Sequence, residues 1–470
     1  MIDMVYSLLI FNNIFHKERS IPCQKKVHRL LILAQNLLSK ICAKLIEFLK
    51  DIITSPEFIA RHRQSNTDFT RKRKMPFHFL IVFLLNALRG SYQDQLDRFF
   101  KILFRLDVAD RVISKAALTK ARMKLKYQAF VELNHHLNTF LEKNFNPKTW
   151  FDFRLLVIDA CLVRLPRCED IAKHFGIWKV RQGRPSPMAR ISQLYDTLNK
   201  VTVDALIRPK HIGERDLAAQ HLLHIMPSDL VLLDRGYTAW WLFALITSLD
   251  ANFCARISCT KFNIVRSFFQ SNSKERIILM PPPITSIKTA KQMGLDLTPL
   301  KLRLIRIENA GKTQILMTSL TNTKLYSYEI FADLYHKRWP VEEDYKAIKC
   351  RIEMENFSGQ SALSVYQDFH SKVFLKNLVS VLALPVNDML TNSMTSRKYD
   401  YQINFTQAIS KSKDVIALLF QQTTSKLTQL IESLQDIFLK TIEPIRPGRK
   451  YPRNHIVSSR KYFLNYKPIA

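Results

Sequence analysis

Glycine is scarce in this chain, with nine in 470 residues, and none builds the glycine loop of a P-loop nucleotide site. No H-E-x-x-H pair is present, so the common zinc-peptidase arrangement is excluded, and no G-x-S-x-G marks a serine hydrolase. The seven cysteines (Cys23, Cys42, Cys161, Cys168, Cys254, Cys259 and Cys350) include no C-x-x-C pair. An odd, scattered set argues against a disulfide framework or a His/Cys zinc site and favours a reducing compartment. Long hydrophobic runs are lacking too. The longest, Phe77 to Leu88, is interrupted by His78 and Asn86 and is too short to span a bilayer. The N-terminus carries Asp3 where a signal peptide needs a base. A cytoplasmic protein with no membrane role is expected.

Acid is also short. Forty Asp and Glu face 71 Lys and Arg, a net charge of +31. A folded chain this basic repels itself, and the usual compensation is a polyanionic partner. Nucleic acid ranks first and an anionic membrane surface second. The length suffices for two or three domains.

Residues 1–148 read as helical. Apolar residues recur at helical spacing in Val27–Ala34 and Leu38–Leu49. Arg61, Arg63, Arg71, Lys72, Arg73 and Lys74 then stand against one acid, Asp68, as either a solvated loop or a phosphate-binding segment. Ser114 is placed to cap a helix showing Lys115, Lys120, Arg122, Lys124 and Lys126. A compact DNA-binding unit has this pattern, and so do basic helical bundles.

The pattern changes over 149–258. Phe153-Arg-Leu-Leu-Val-Ile-Asp159 and Asp229-Leu-Val-Leu-Leu-Asp234 both read as buried strands that end on an aspartate. Strands across Met188–Tyr195, Lys200–Ile207 and Asn252–Ile257, and helices across Glu214–His224 and Trp240–Ser248, complete a mixed α/β unit. An acid past a buried strand is often a turn former. Two such strands point to chemistry at the carboxyl ends of a sheet. Residues 259–325 read as a β-rich insertion broken at Pro281-Pro-Pro, with Arg303 and the cationic end of Lys301 on one strand face. Residues 326–400 resume the core, with a buried helix over Tyr366–Leu384. Residues 401–470 hold a long helix over Lys413–Lys440 and a basic, proline-containing tail.

The densest chemistry lies in Tyr335-His-Lys-Arg338-Trp-Pro-Val-Glu342-Glu-Asp-Tyr-Lys346-Ala-Ile-Lys349. Glu342 and Lys349 are seven apart, about two helical turns, so both project from one face, with Tyr345 and Lys346 between them. Either this is a solvated helix with ion pairs, or a metal-ligating carboxylate flanked by phosphate-binding cations. Asp159, Asp234 and Glu342 together could bind two Mg²⁺ ions, since hard oxygen ligands suit that ion. Mn²⁺ could substitute. Paired ions of this kind serve phosphodiester chemistry, which fits a chain of this charge.

At these residues the chain resembles the DDE transposases of bacterial insertion sequences, in the subgroup with a Y-R-E-K signature. The signature residues stand as Tyr335, Arg338, Glu342 and Lys349. Val157-Ile-Asp159 resembles the first family aspartate and Leu233-Asp234-Arg-Gly-Tyr the second. Met354–Gly359 resembles the segment after the signature, and Arg446-Pro-Gly-Arg-Lys-Tyr-Pro-Arg the basic tail. The resemblance covers about residues 90–460.

It implies an RNase H-like mixed-sheet core with a β-rich insertion. It implies Asp159, Asp234 and Glu342 as metal ligands, and Tyr335, Arg338 and Lys349 on phosphates at the transposon end. It also implies a homodimer on paired DNA ends that cuts and then joins DNA through a free 3′-hydroxyl. Two departures stand out. Many relatives follow the first aspartate with Gly-Ser, where this chain has Ala160-Cys161. Relatives also stack a flipped base on a tryptophan in the insertion. Residues 259–325 hold none, and Phe262, Phe268 and Phe269 are the aromatic alternatives. A repurposed DNA-binding derivative and a general RNase H-like nuclease remain the competing readings.

Overall fold

The structure, a computed structural model, describes residues 21–86, 90–178, 185–271, 273–309, 311–392 and 399–446. The basic tail past residue 446, and the N-terminus before residue 21, lie outside them.

Among the described residues nine strands form one mixed sheet. They are β1 (Arg154–Arg164), β2 (Ile177–Trp178), β3 (Ser186–Asp196), β4 (Val201–Pro209), β5 (Asp229–Leu233), β6 (Asn252–Ile257), β7 (Glu275–Met280), β8 (Leu300–Asn309) and β9 (Lys312–Thr318). β4, β3 and β1 run antiparallel, and β5 and β6 then add in parallel beside β1. That order, with helices on both faces, is an RNase H-like core. β9, β8 and β7 extend the same sheet, because β9 pairs antiparallel with β6. The segment 259–325 thus holds three strands continuous with the core sheet, along with helices over Asn263–Gln270 and Ile284–Gln292.

β1 shows why both faces need cover. Leu155 and Val157 join one apolar core, and Leu156 and Ile158 join the other. A strand buried on both sides reads as a continuous apolar run. The sequence suggested that this strand ends at Asp159, and it does not. β1 runs on to Arg164, because β3 pairs with it from Leu156↔Asp196 to Arg164↔Met188. What ends near Asp159 is the parallel neighbour: β1 and β5 pair only from Arg154↔Asp229 to Ile158↔Leu233.

A third core lies in the helical body, built from Ile21–Thr54, Phe77–Leu84, Tyr92–Phe104 and Gln128–Asn144 together with the C-terminal helices. Helix Ala362–Asn392 joins this body to the sheet. Val365, Phe369 and Val373 pack on the sheet side, and Leu378, Leu382 and Val386 in the helical body. Ala362–Leu390 is long and apolar enough to cross a membrane, yet 72% of its most apolar window is buried inside the protein. Asn377, one of its buried polar residues, is satisfied internally. It donates to the Thr202 carbonyl at 2.6 Å and to Asn134 Oδ1 at 2.7 Å.

Two further expectations need correcting. The helix expected over Lys413–Lys440 is two helices, Phe405–Leu419 and Thr424–Lys440. Thr423 is extended (φ −75°, ψ 159°) and starts the second helix afresh. Ser114 does cap its helix, accepting from Ala117 N at 3.2 Å. Arg122 on that helix is not surface charge, however, but fully enclosed. Arg303 on β8 is likewise buried, paired with Glu275 and donating to the Tyr326 carbonyl at 2.6 Å.

Candidate active site

The register of β1 and β5 positions two acids. One step past the last paired residues, Ile158 and Leu233, stand Asp159 and Asp234. Asp234 keeps extended angles (φ −86°, ψ 174°) before the turn Arg235–Tyr237. The two therefore sit side by side on strands roughly 4.8 Å apart. By alternation both share the face of Val157 and Leu232, and that face is covered by Tyr335, Val341, Tyr345 and Ile348. Helix Pro340–Lys346 packs there, with Pro340 in its first turn, where a missing N–H costs little. It delivers Glu342 to the same place.

Asp234 and Glu342 both lie within electrostatic reach of Asp159. Burial pushes the Asp159 carboxyl up to about 6. The Arg338 guanidinium pulls the other way, while the charges of Asp234 and Glu342 push it further up. Asp234 is also partly desolvated. The Arg235 N–H and the guanidinium groups of Arg256 and Arg338 outweigh that, and hold it below the usual carboxylate range.

Each signature residue has a definite place. The Tyr335 hydroxyl donates to Asp234 Oδ1 at 3.3 Å, and burial raises its own ionisation far above the usual tyrosine range. Arg338 donates to Glu342 Oε1 at 2.7 Å, one turn along. Lys349 lies in a wide turn, Ala347–Arg351, and donates to the Leu162 carbonyl of β1 at 2.8 Å. Lys346 does not converge with these; it is exposed and paired with Glu343.

One contributor was missed by the sequence, and another, Tyr345, was placed on the right face without a role. Arg256 on β6 pairs with Asp234 at 2.6 Å. A lone charge within Phe253-Cys-Ala-Arg-Ile was its signal. Tyr345 is buried and donates to the Asp159 carbonyl at 2.6 Å, so it ties the Glu342 helix to β1. Behind that helix, buried Lys376 donates to Asp344 Oδ1 at 2.7 Å and Thr202 Oγ1 at 2.6 Å. The aromatic alternatives in 259–325 separate: Phe268 is buried, while Phe269 is partly exposed with the Arg306 guanidinium 5.3 Å from its ring.

The three carboxylates make an oxygen-only donor set, with the guanidinium groups of Arg256 and Arg338 beside them. Such a set fits a hard divalent cation. Away from it, Arg71, Lys72, Arg73, Lys74, Lys120 and Lys124 line a groove of about 1140 Å³ between residues 67–76 and helix Lys115–Arg122.

Fold and comparison now agree. Residues 150–370 match the family described as the Transposase DDE domain. Over 409 residues the chain is 22% identical to the transposase InsG for insertion sequence element IS4 of Escherichia coli (strain K12), covering 85% of this chain and 89% of that one. A piggyBac transposase synaptic complex with hairpin DNA, solved by cryo-electron microscopy, superposes with a TM-score of 0.44 at 12% identity, over 88% of this chain and 87% of that one. A domain of that family points to a DNA-cleaving and strand-transferring enzyme of a class that uses divalent metal.

Proposed function

We propose that this chain is a transposase that cuts DNA at the ends of its element and joins the freed 3′-hydroxyl to target DNA, with Asp159, Asp234 and Glu342 as its catalytic carboxylates. The observation that supports it most is their placement: two neighbours in register on β1 and β5, and a third brought by the helix packed over them. Mg²⁺ is the ion the oxygen donor set suits best, with Mn²⁺ able to replace it. When bound, such ions activate the attacking oxygen and stabilise the leaving one.

The protein's own part is positioning and charge. Tyr335 orients Asp234 through its hydroxyl, and Arg338 orients Glu342. When those carboxylates turn to cations, the guanidinium groups of Arg338 and Arg256 are free to contact scissile phosphates, which suit their planar donor fork. Lys349, anchored on β1, and Lys346, on the outer side of the helix, line the path of the adjacent backbone. Residues 1–148, with the basic groove, hold DNA outside the active site; 149–258 and 326–400 form the catalytic core; and 259–325 is the insertion. The active form is a homodimer on paired ends, and it acts in the cytoplasm.

The test is to incubate the purified chain with linear DNA carrying the element's own terminal inverted repeats. Mg²⁺-dependent cutting at the repeats, followed by transfer to a target duplex, is expected. Cutting without preference for the repeats would instead mark a general nuclease. Binding without cutting would mark a repurposed DNA-binding protein.

A further inference from the structure

Three ligand-type side chains from distant parts of the chain meet away from the carboxylate triad. His135 comes from helix Gln128–Asn144 of the helical body, Asp204 from β4, and His224 from the end of the short turn Leu222–His224. Their donor atoms all lie within 4.8 Å of one another. Asp204 Oδ1 is 4.0 Å from His135 Nε2 and 3.8 Å from His224 Nε2. Each is too long for a hydrogen bond. His135 Nε2 is buried and has no hydrogen-bond partner. Nitrogen and oxygen ligands on one tetrahedral Zn²⁺ stand about 3.4 Å apart, given bonds near 2.0–2.1 Å. Small side-chain rotations would close the gap.

The surroundings suit a metal. The second oxygen of Asp204 is held by His221 Nδ1 at 2.7 Å, and His221 Nε2 meets Ser192 Oγ at 2.9 Å. Ser192 in turn donates to the Asp159 carbonyl at 3.2 Å. A ligating carboxylate fixed by its own hydrogen bond is the usual outer-shell device. The His135 and His224 side chains are each about one-third exposed, so the group lies near the surface.

We propose that His135, Asp204 and His224 bind a Zn²⁺ ion that pins the helical body to the catalytic sheet. Two imidazoles and a carboxylate favour Zn²⁺ over Mg²⁺, which prefers an all-oxygen shell. The ion is structural, and this site is separate from the proposed catalytic carboxylates.

The test uses Co²⁺ as a spectroscopic probe on the full-length chain, stripped with chelator. The parent is expected to show visible ligand-field absorption without thiolate charge transfer, and Zn²⁺ is expected to displace it. His135→Phe and His224→Asn should each lose that band and about one equivalent of Zn²⁺ in calorimetric titration. Zn²⁺ should also raise the thermal midpoint of the parent but not of either variant. Far-UV circular dichroism identifies which variant has folded, and one folded variant suffices. An unchanged band and stoichiometry in a folded variant, thiolate absorption in the parent, or no Co²⁺ binding by the parent would overturn the proposal.

Discussion

Arg122 offers the sharpest stability test, because the sequence pattern places it on a basic surface and the structure encloses it. Its Nε donates to Gln367 Oε1 at 2.6 Å, its Nη1 to the Tyr92 hydroxyl at 2.8 Å and Ser358 Oγ at 2.6 Å, and its Nη2 to the Ser364 carbonyl at 2.9 Å and Asp368 Oδ1 at 2.6 Å. These partners join two helices of the helical body to helix Ala362–Asn392. In Arg122→Met, Asp368 keeps its bonds from Ser358 but loses its main counter-charge. Breaking a buried pair by removing one partner costs about 3–5 kcal/mol. A surface arginine would cost roughly 0.5 kcal/mol or less. Urea unfolding, followed by tryptophan fluorescence and circular dichroism, separates the two. A double-mutant cycle with Asp368→Asn should return a coupling of about 0.5–3 kcal/mol. A loss below about 1 kcal/mol for Arg122→Met would refute the enclosed network.

Other perturbations follow from the same contacts. Lys376→Met should cost about 3–5 kcal/mol by stranding Asp344, and Lys376→Met with Asp344→Leu should recover most of it in urea unfolding. His370 is buried against Tyr127, and desolvation lowers its ionisation to about 3. The unfolded chain therefore takes up a proton, below about pH 6.5, that the native chain refuses. Stability contributed by the neutral ring is present above that pH and is lost as pH falls toward 3. The loss is about 2 kcal/mol by pH 5, and His370→Gln should flatten the profile relative to the parent. In the basic groove, Arg73→Gln with Lys120→Gln should weaken DNA binding across sequences. The slope of log affinity against log salt should fall by about 0.9 for each lost phosphate contact, read by fluorescence anisotropy.

Much of the site was legible because it sits on strongly patterned elements. Asp234 follows an unbroken apolar run and precedes a glycine turn, and Glu342 falls on a helix opened by Pro340. The position of Asp159 was less plain, since no local signal shows that β3 carries β1 onward after β5 has stopped. Arg122, Arg303 and Lys376 look like surface charge in sequence. Their burial depends on partners as far away as Asp368, Tyr326 and Thr202, and periodicity contains no trace of such pairings. The break between Leu419 and Thr424 was hidden because Gln421 and Gln422 suit a helix interior. The group His135, Asp204 and His224 has no motif, because it exists only once a helix, a strand and a turn are packed together.

The central claim is that Asp159, Asp234 and Glu342 act as one catalytic set. The most direct measurement is the single-turnover rate of first-strand cleavage at the terminal repeats, in Mg²⁺, for Asp159→Asn, Asp234→Asn and Glu342→Gln. Each variant should bind the repeats about as well as the parent and should cut at least about 10³-fold more slowly, a loss of roughly 4 kcal/mol in transition-state stabilisation. Cleavage within about tenfold of the parent by any one of them would contradict the account.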